Sequence, residues 1–288
     1  PIDLPQDETN SDESLPAAPT SFFDHAKARE FVNAIKEKHK AGDKNTRQQI
    51  DSIAKSVFDK VPYQRIIREL VEVAQAEIGR KIIGLPTSQT EKLDALYQFY
   101  LTMPVYTFRD SNTSIMQQFS TPVYIAWILA LYCSIDRDIN SLSVFEPSAG
   151  NGLLISAFPA ANVTANELDP TRAEILRFRG YKNVTMYDAS EPFTAIDKQF
   201  DVVISNPPFY RKGHDRVSYG GLHISSFDHI CVLRALDKMK DNGRAAFLID
   251  GAPGSSYNPN QYFNNNGDFS GENRNFFKYL YSYYNVED

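Results

Sequence analysis

The sequence predicts an α/β fold: a mostly parallel sheet flanked by helices, preceded by an N-terminal helical region. Three observations carry that expectation. Apolar residues recur at helical spacing through residues 21–104. Beyond Pro122, short β-type runs alternate with helix-like segments. Several of those runs end in glycine, acidic or proline turns, the place where strands of a parallel sheet hand over to ligand-binding loops.

The chain has 288 residues, which suits one large domain or a medium one with an appendage. With 42% hydrophobic and 23% charged residues it can bury a sizeable core. The formal net charge is −6. Non-specific affinity for nucleic acid comes from Lys and Arg neutralising phosphates, so any such contact must use a local basic surface. Cys133 and Cys231 lie far apart in apolar, helix-like stretches. They fit neither metal spacing nor a disulfide framework and are expected as buried free thiols, which suits the cytoplasm. No metal site is predicted. No apolar run reaches the length of about 18 residues that a membrane span needs, and no signal peptide is visible. The first residue is Pro rather than Met, which reads as a piece of a longer protein.

Residues 1–20 are acidic and rich in Pro and Ser, so a flexible linker is expected. A first helix carries Phe22, Ala26, Ala28, Phe31, Val32 and Ile35, with Ser21 and Asp24 as its cap and an end near Gly42. A second spans Thr46 to Asp59 with Ile50, Ile53, Ala54 and Val57 on one face. Pro62 opens a third through Ile66, Ile67, Leu70, Val71, Val73 and Ala74. Ser88 or Thr90 caps a fourth through Leu93, Leu96, Tyr97 and Tyr100. The charges here are mixed with no basic stripe, which favours a packing appendage over a substrate-binding module. The rest, residues 105–288, reads as the catalytic domain.

Pro122 starts a further helix. Strands are then predicted at Ser143–Pro147, Asn162–Leu168, Val184–Asp188, Phe200–Ser205 and Arg244–Ile249. Helical segments are expected at Leu153–Phe158, at Pro170–Arg179, from Ser226 to Lys240 up to the break Asp241-Asn242-Gly243, and at Asn273–Tyr284. An Asn/Tyr-rich loop is expected over Tyr257–Asn266.

The first strand runs into Glu146-Pro147-Ser148-Ala149-Gly150-Asn151-Gly152. Gly150 and Gly152 permit a tight turn and close backbone approach to a ligand. The third glycine of a dinucleotide fingerprint and the Lys-Ser/Thr of a phosphate loop are both missing, which disfavours NAD and ATP. Glu167, at the second strand end, can accept from both hydroxyls of a ribose, and Asp169 stands where it can cap the next helix. Asp188, at the third, can accept from an adenine amino group or serve as a turn residue. The fourth ends in Asn206-Pro207-Pro208-Phe209-Tyr210. Two prolines fix φ and remove two donors. The Asn206 side-chain oxygen and the Pro207 carbonyl can then accept from one planar NH2 group, drawing its nitrogen toward a tetrahedral state, while Phe209 offers a face to a flat substrate. Tyr210, Arg211 and Lys212, with His214 and Arg216 beyond, lie at the mouth of that site and suit substrate or phosphate contacts. Tyr219-Gly220-Gly221 suggests a mobile closing segment. His229 reads as structural.

These motifs resemble the amino-methyltransferases with an Asn-Pro-Pro-aromatic motif, and in particular the DNA adenine-N6 methyltransferases of the gamma arrangement. Glu146, Pro147, Ala149, Gly150 and Gly152 are similar to that family's first motif. Gln118-Phe119-Ser120-Thr121-Pro122 is similar to its segment over the methionine end of the cofactor. The resemblance covers Gln117 to Gly251. It implies a Rossmann-like methyltransferase fold, S-adenosylmethionine as cofactor and DNA as partner, in a restriction-modification setting. It implies that Glu167 holds the cofactor ribose, Asp188 its adenine and Thr121 its amino-acid end. Asn206, Pro207 and Pro208 would bind the target amino group and Phe209 would stack on the flipped base. The family's sheet has seven strands with a terminal hairpin, whereas five are counted here by Ile249. The last strands and the DNA-reading part are therefore expected elsewhere in a parent protein. RNA adenine and protein glutamine amides are alternative substrates, and a non-catalytic cofactor- or DNA-binding module is the reading from another class.

Overall fold

The structure is a computed structural model and describes residues 21–40, 46–103, 120–208, 216–249 and 273–287. The expected linker at 1–20 and the loop at 257–266 lie outside these residues.

The helical spacing forms helices where it predicts them. α1 (His25–Lys40) buries Ala28, Phe31, Val32 and Ile35. Asp24 caps it, its Oδ1 accepting from the backbone N–H of Ala26 at 2.8 Å and Lys27 at 3.1 Å. Ser21 does not share that cap; its hydroxyl donates to Glu174. Capping boxes start α2 (Arg47–Val57) at Thr46 and α4 (Gln89–Thr102) at Ser88, so Ser88 rather than Thr90 is the cap. Between them runs α3 (Gln64–Ile83), which buries residues on most of its circumference. α5 (Val123–Ser134) follows Pro122.

β1 (Val144–Glu146), β2 (Val163–Asn166), β3 (Asn183–Thr185) and β4 (Phe200–Ser205) come next, with α6 (Pro170–Phe178) between β2 and β3. β5 (Val217–Tyr219) and β6 (Leu222–Ile224) form a separate antiparallel hairpin. After α7 (Phe227–Leu236), β7 (Met239–Phe247) returns to the sheet, and α8 (Asn273–Tyr283) follows. The sheet has five strands in the order β3-β2-β1-β4-β7, every pair parallel. This is the expected α/β architecture.

The alternation along β1 and β4 assigns the layers. Val144, Val202 and Ile204 face a core shared with α1 to α6. Phe145 and Val203 face the other way, toward Phe193, Phe227, Cys231 and Ala235. The N-terminal helices therefore do not have a core of their own: Phe31, Leu70 and Ala74 belong to the cluster that also holds Val163, Ile175 and Leu176. A third cluster joins α7 and α8 to the hairpin around Phe276 and Ile224. Cys133 and Cys231 are buried and not joined in a disulfide, and burial pushes the Cys133 thiol up to about 12. Among the described residues no helix is long and apolar enough to cross a membrane.

Three expectations are corrected. Leu153–Phe158 is a series of turns, because the bonds Ser156 N–H to Leu153 and Phe158 N–H to Ile155 reach back only three residues and Pro159 disfavours helical backbone before it. The helix from Ser226 ends at Leu236, not Lys240, and the last strand begins at Met239 rather than Arg244. Met239 pairs with Phe200 and Arg244 with Val202, so five steps on β7 answer two on β4. Lys240-Asp241-Asn242-Gly243 is thus a bulge within a strand, anchored where Lys240 Nζ meets Asp201 at 2.7 Å. Last, Tyr219-Gly220-Gly221 is the turn of the β5–β6 hairpin, packed under α8 by an edge contact between Tyr219 and Tyr279 at 5.1 Å. Among the described residues the parallel sheet has the five strands counted from the sequence, and this hairpin is a separate two-stranded sheet.

A continuous core predicts one unfolding transition. Leu70 on α3 has no exposed surface, so Leu70→Ala should cost about 2–5 kcal/mol. Thermal unfolding followed by far-UV circular dichroism and by Trp127 fluorescence should shift together; two separable transitions would disprove a shared core.

Candidate active site

In a sheet of this order the strand direction of growth reverses between β1 and β4, and ligands sit in the crevice beyond their carboxyl ends. The hydroxyls of Ser148 and Ser205, one past β1 and one ending β4, meet at 2.8 Å. Asn166 ties the neighbouring strand ends. It is 1% exposed. Its amide nitrogen donates to the Pro147 and Tyr187 carbonyls at 2.8 Å each, and its oxygen accepts from the Thr185 hydroxyl and the Tyr187 N–H. Sequence reasoning passed over Asn166, which stands beside the more conspicuous Glu167.

The glycine turn follows β1 directly. Gly150 and Gly152 adopt φ of +54° and +73°, values that favour glycine. A Cβ on Gly152 would lie 2.8 Å from the Arg179 guanidinium and 2.9 Å from Leu176. Pro147 and Ala149 are buried at its base. Glu167 shapes the turn: its carboxylate accepts from the Gly150 N–H at 2.7 Å and from the Asp169 N–H at 2.8 Å. Each oxygen has a lone pair to spare after these bonds. Asp169 caps α6, accepting from the N–H groups of Thr171 and Arg172. Asp188, half-buried beyond β3, accepts from the Ser190 N–H and hydroxyl.

Glu146 lies at the sheet end, 2% exposed, with Oε2 lacking a partner. Burial, and then the Glu167 charge, push its carboxyl well above the usual range. Burial likewise raises Glu167, against the pull of Arg172.

The two motifs farthest apart in sequence meet here. The Asn206 amide nitrogen donates to the Thr121 hydroxyl at 3.1 Å, and Thr121 is buried. Asn206 Oδ1 is left buried and without a hydrogen-bond partner. Pro207 is buried and Pro208 half-buried beside it. Phe209, Tyr210, Arg211, Lys212 and His214 lie outside the described residues. His229 is buried and stacks on Phe276 with centroids 3.9 Å apart.

A second group was not singled out from the sequence. From α3, Glu69 meets the Arg172 Nε at 3.1 Å, and both are buried. The Asn151 amide nitrogen donates to Glu69 and, at 2.7 Å, to Glu72. Arg65 pairs with Asp169. The hint in the sequence was the run of acids and arginines on an otherwise apolar helix, with Arg65, Glu69 and Glu72 at helical spacing. Among the described residues no group of three or more His, Cys, Asp and Glu could hold a metal.

No protein-family model and no curated protein matches the chain. Solved structures do. A type I restriction-modification methyltransferase subunit from Streptococcus thermophilus is 12% identical, over 79% of this chain and 68% of its own, with a TM-score of 0.39. TrmN from Thermus thermophilus is 16% identical over 62% and 69%, with a TM-score of 0.36. A Pyrococcus horikoshii protein provisionally named an RNA methyltransferase is 23% identical over 54% and 70%, with a TM-score of 0.37.

Two outcomes follow from the geometry. Gly152→Val forces a β-branched residue into positive φ against Arg179 and Leu176, and should destabilise by about 1–3 kcal/mol in denaturant unfolding. Glu146 has a raised carboxyl pKa, so its contribution to stability is fullest below the unfolded value and is lost as pH rises through the folded one. Glu146→Gln should therefore raise Tm at pH 8 relative to the wild type and make little difference at pH 4. A lower Tm at pH 8 would show that the carboxylate is ionised and paired.

Proposed function

We propose that this chain binds S-adenosylmethionine and methylates the N6 amino group of an adenine flipped out of DNA. One observation carries the reading: Asn206 Oδ1 is buried at the strand end with no partner, while its amide nitrogen is already spent on Thr121. A buried acceptor without a donor costs free energy that a bound N–H group restores.

The residues fit the cofactor. The positive-φ glycine turn allows close approach, Glu167 retains acceptor capacity for ribose hydroxyls, and Asp188 lies beyond β3 for the adenine amino group. Thr121, beside Asn206, is the residue for the amino-acid end. When bound, the cofactor supplies an electrophilic methyl group on a sulfonium.

The chain's own work is done on the target nitrogen. Asn206 Oδ1 and the Pro207 carbonyl accept from the two N–H bonds of an exocyclic amine, holding it in place and localising its lone pair. No basic side chain is required, since the methylated nitrogen releases its proton to water. Phe209 is assigned the stacking role and Arg211 and Lys212 the phosphate contacts. Because the whole chain is acidic, most of the DNA contact is assigned to further parts of a parent protein. The reading places the protein in the cytoplasm, in a restriction-modification setting. An RNA adenine or a glutamine amide presents the same NH2 group to Asn206.

The test uses methyl-labelled S-adenosylmethionine with separate DNA, RNA and protein pools, and mass identification of the product. N6-methyldeoxyadenosine is expected, with Asn206→Ala slowing its formation by about 10²-fold or more while S-adenosylhomocysteine still binds. Label in RNA or on glutamine moves the substrate class. Cofactor binding with no label in any pool favours a binding module.

A further inference from the structure

We propose that Glu72, on helix α3, is a cofactor ligand: with the side-chain oxygen of Asn151, it accepts the α-ammonium group at the methionine end of S-adenosylmethionine. This rests on the cofactor reading above and makes the N-terminal helices part of the binding site rather than a packing appendage.

The placement comes first. Glu72 is where three segments converge. It accepts from Asn151 in the glycine turn at 2.7 Å. It also takes a hydrogen bond from the Ser120 hydroxyl, and Ser120 precedes Thr121, the residue that holds Asn206. A group bound here is therefore between the glycine turn and the Asn206 corner.

Independently, Asn151 is 2% exposed, and its Oδ1 has no partner. Its orientation is not interchangeable. The amide nitrogen faces the carboxylates of Glu69 and Glu72, and turning the group over would set an oxygen against them. The structure thus holds a buried acceptor that calls for an N–H or O–H donor.

Charge points the same way. Among the described residues around the turn, Glu69, Glu72, Glu167 and Asp169 outnumber Arg65, Arg172 and Arg179. Glu69 has the Arg172 guanidinium as its partner, whereas among the described residues the hydrogen bonds to Glu72 come from the neutral groups of Asn151 and Ser120. Burial, and next the Glu69 charge, raise the Glu72 carboxyl despite Arg172. An added cation with several N–H donors relieves this surplus, and an ammonium group matches one carboxylate plus one amide oxygen.

Calorimetric titration of the full chain tests the assignment with three probes: S-adenosylhomocysteine, its deaminated analogue and 5′-methylthioadenosine. The wild type should bind S-adenosylhomocysteine about tenfold or more tighter than the deaminated analogue, the scale of a charged hydrogen bond. Glu72→Gln should erase that difference and leave methylthioadenosine binding unchanged. Thermal unfolding checks that the variant folds; should it not, Glu72→Asp, which keeps the charge but shortens the reach, should shrink the difference instead. The assignment is overturned if the wild type ignores the amine, if either folded variant discriminates as the wild type does, or if Glu146→Gln alone removes the discrimination. Failure of all three probes to bind the wild type would instead refute the cofactor reading.

Discussion

The buried contact between Glu69 and Arg172 is the constraint on which the rest of the site depends. It joins α3 to α6, and both side chains are almost fully withdrawn from water. Such a pair is tolerable only when its remaining hydrogen-bonding capacity is met, and removing one partner leaves a charge stranded. Here the capacity is met by the glycine turn itself, through Asn151. Arg172 also lies in the first turn of a helix capped by Asp169, whose N–H donates to Glu167, whose other oxygen holds Gly150. The glycine turn is thus held from both sides by one connected set of bonds.

The crevice is also lopsided in its hydrogen bonding. Asn166 has every polar atom engaged and acts as structure. Glu146, Asn151 and Asn206 each keep one buried oxygen free. Glu146 ends β1, Asn151 lies in the turn after it and Asn206 follows β4, and the two amide oxygens are acceptors. The two free amide oxygens suit ligands that bring N–H groups. An amino group to be modified and a cationic donor of the modifying group have that character in common.

Most of the frame was legible in the sequence because its signals are local. Helical spacing and caps gave α1 to α5, and strand runs ending in Glu146, Glu167 and Asn206 gave the sheet and its ligand end. What escaped depends on tertiary partners. Leu153–Phe158 has helical composition, but Pro159 and the tight turn at Gly152 confine it to turns. The hairpin at Val217–Ile224 was hidden because its closing glycines look like freedom until α8 packs on them. The α3 acids belonged to a helical region of mixed charge without a basic stripe, and only their meeting with Arg172 and Asn151 sets them apart. The bond between Thr121 and Asn206 could be suspected from the family resemblance alone, since 85 residues separate them.

The bulged strand β7 has a bearing on solubility. Among the described residues it pairs only with β4, and its other side carries no strand. Open edges invite pairing with another chain, and aggregation follows unless the edge is interrupted or charged. Lys240, Asp241, Asn242 and Gly243 supply both, since they bend the strand out of register and place charge along it. The polar tetrapeptide that disguised this strand as a helix terminus is thus also its safeguard against edge-to-edge polymerisation.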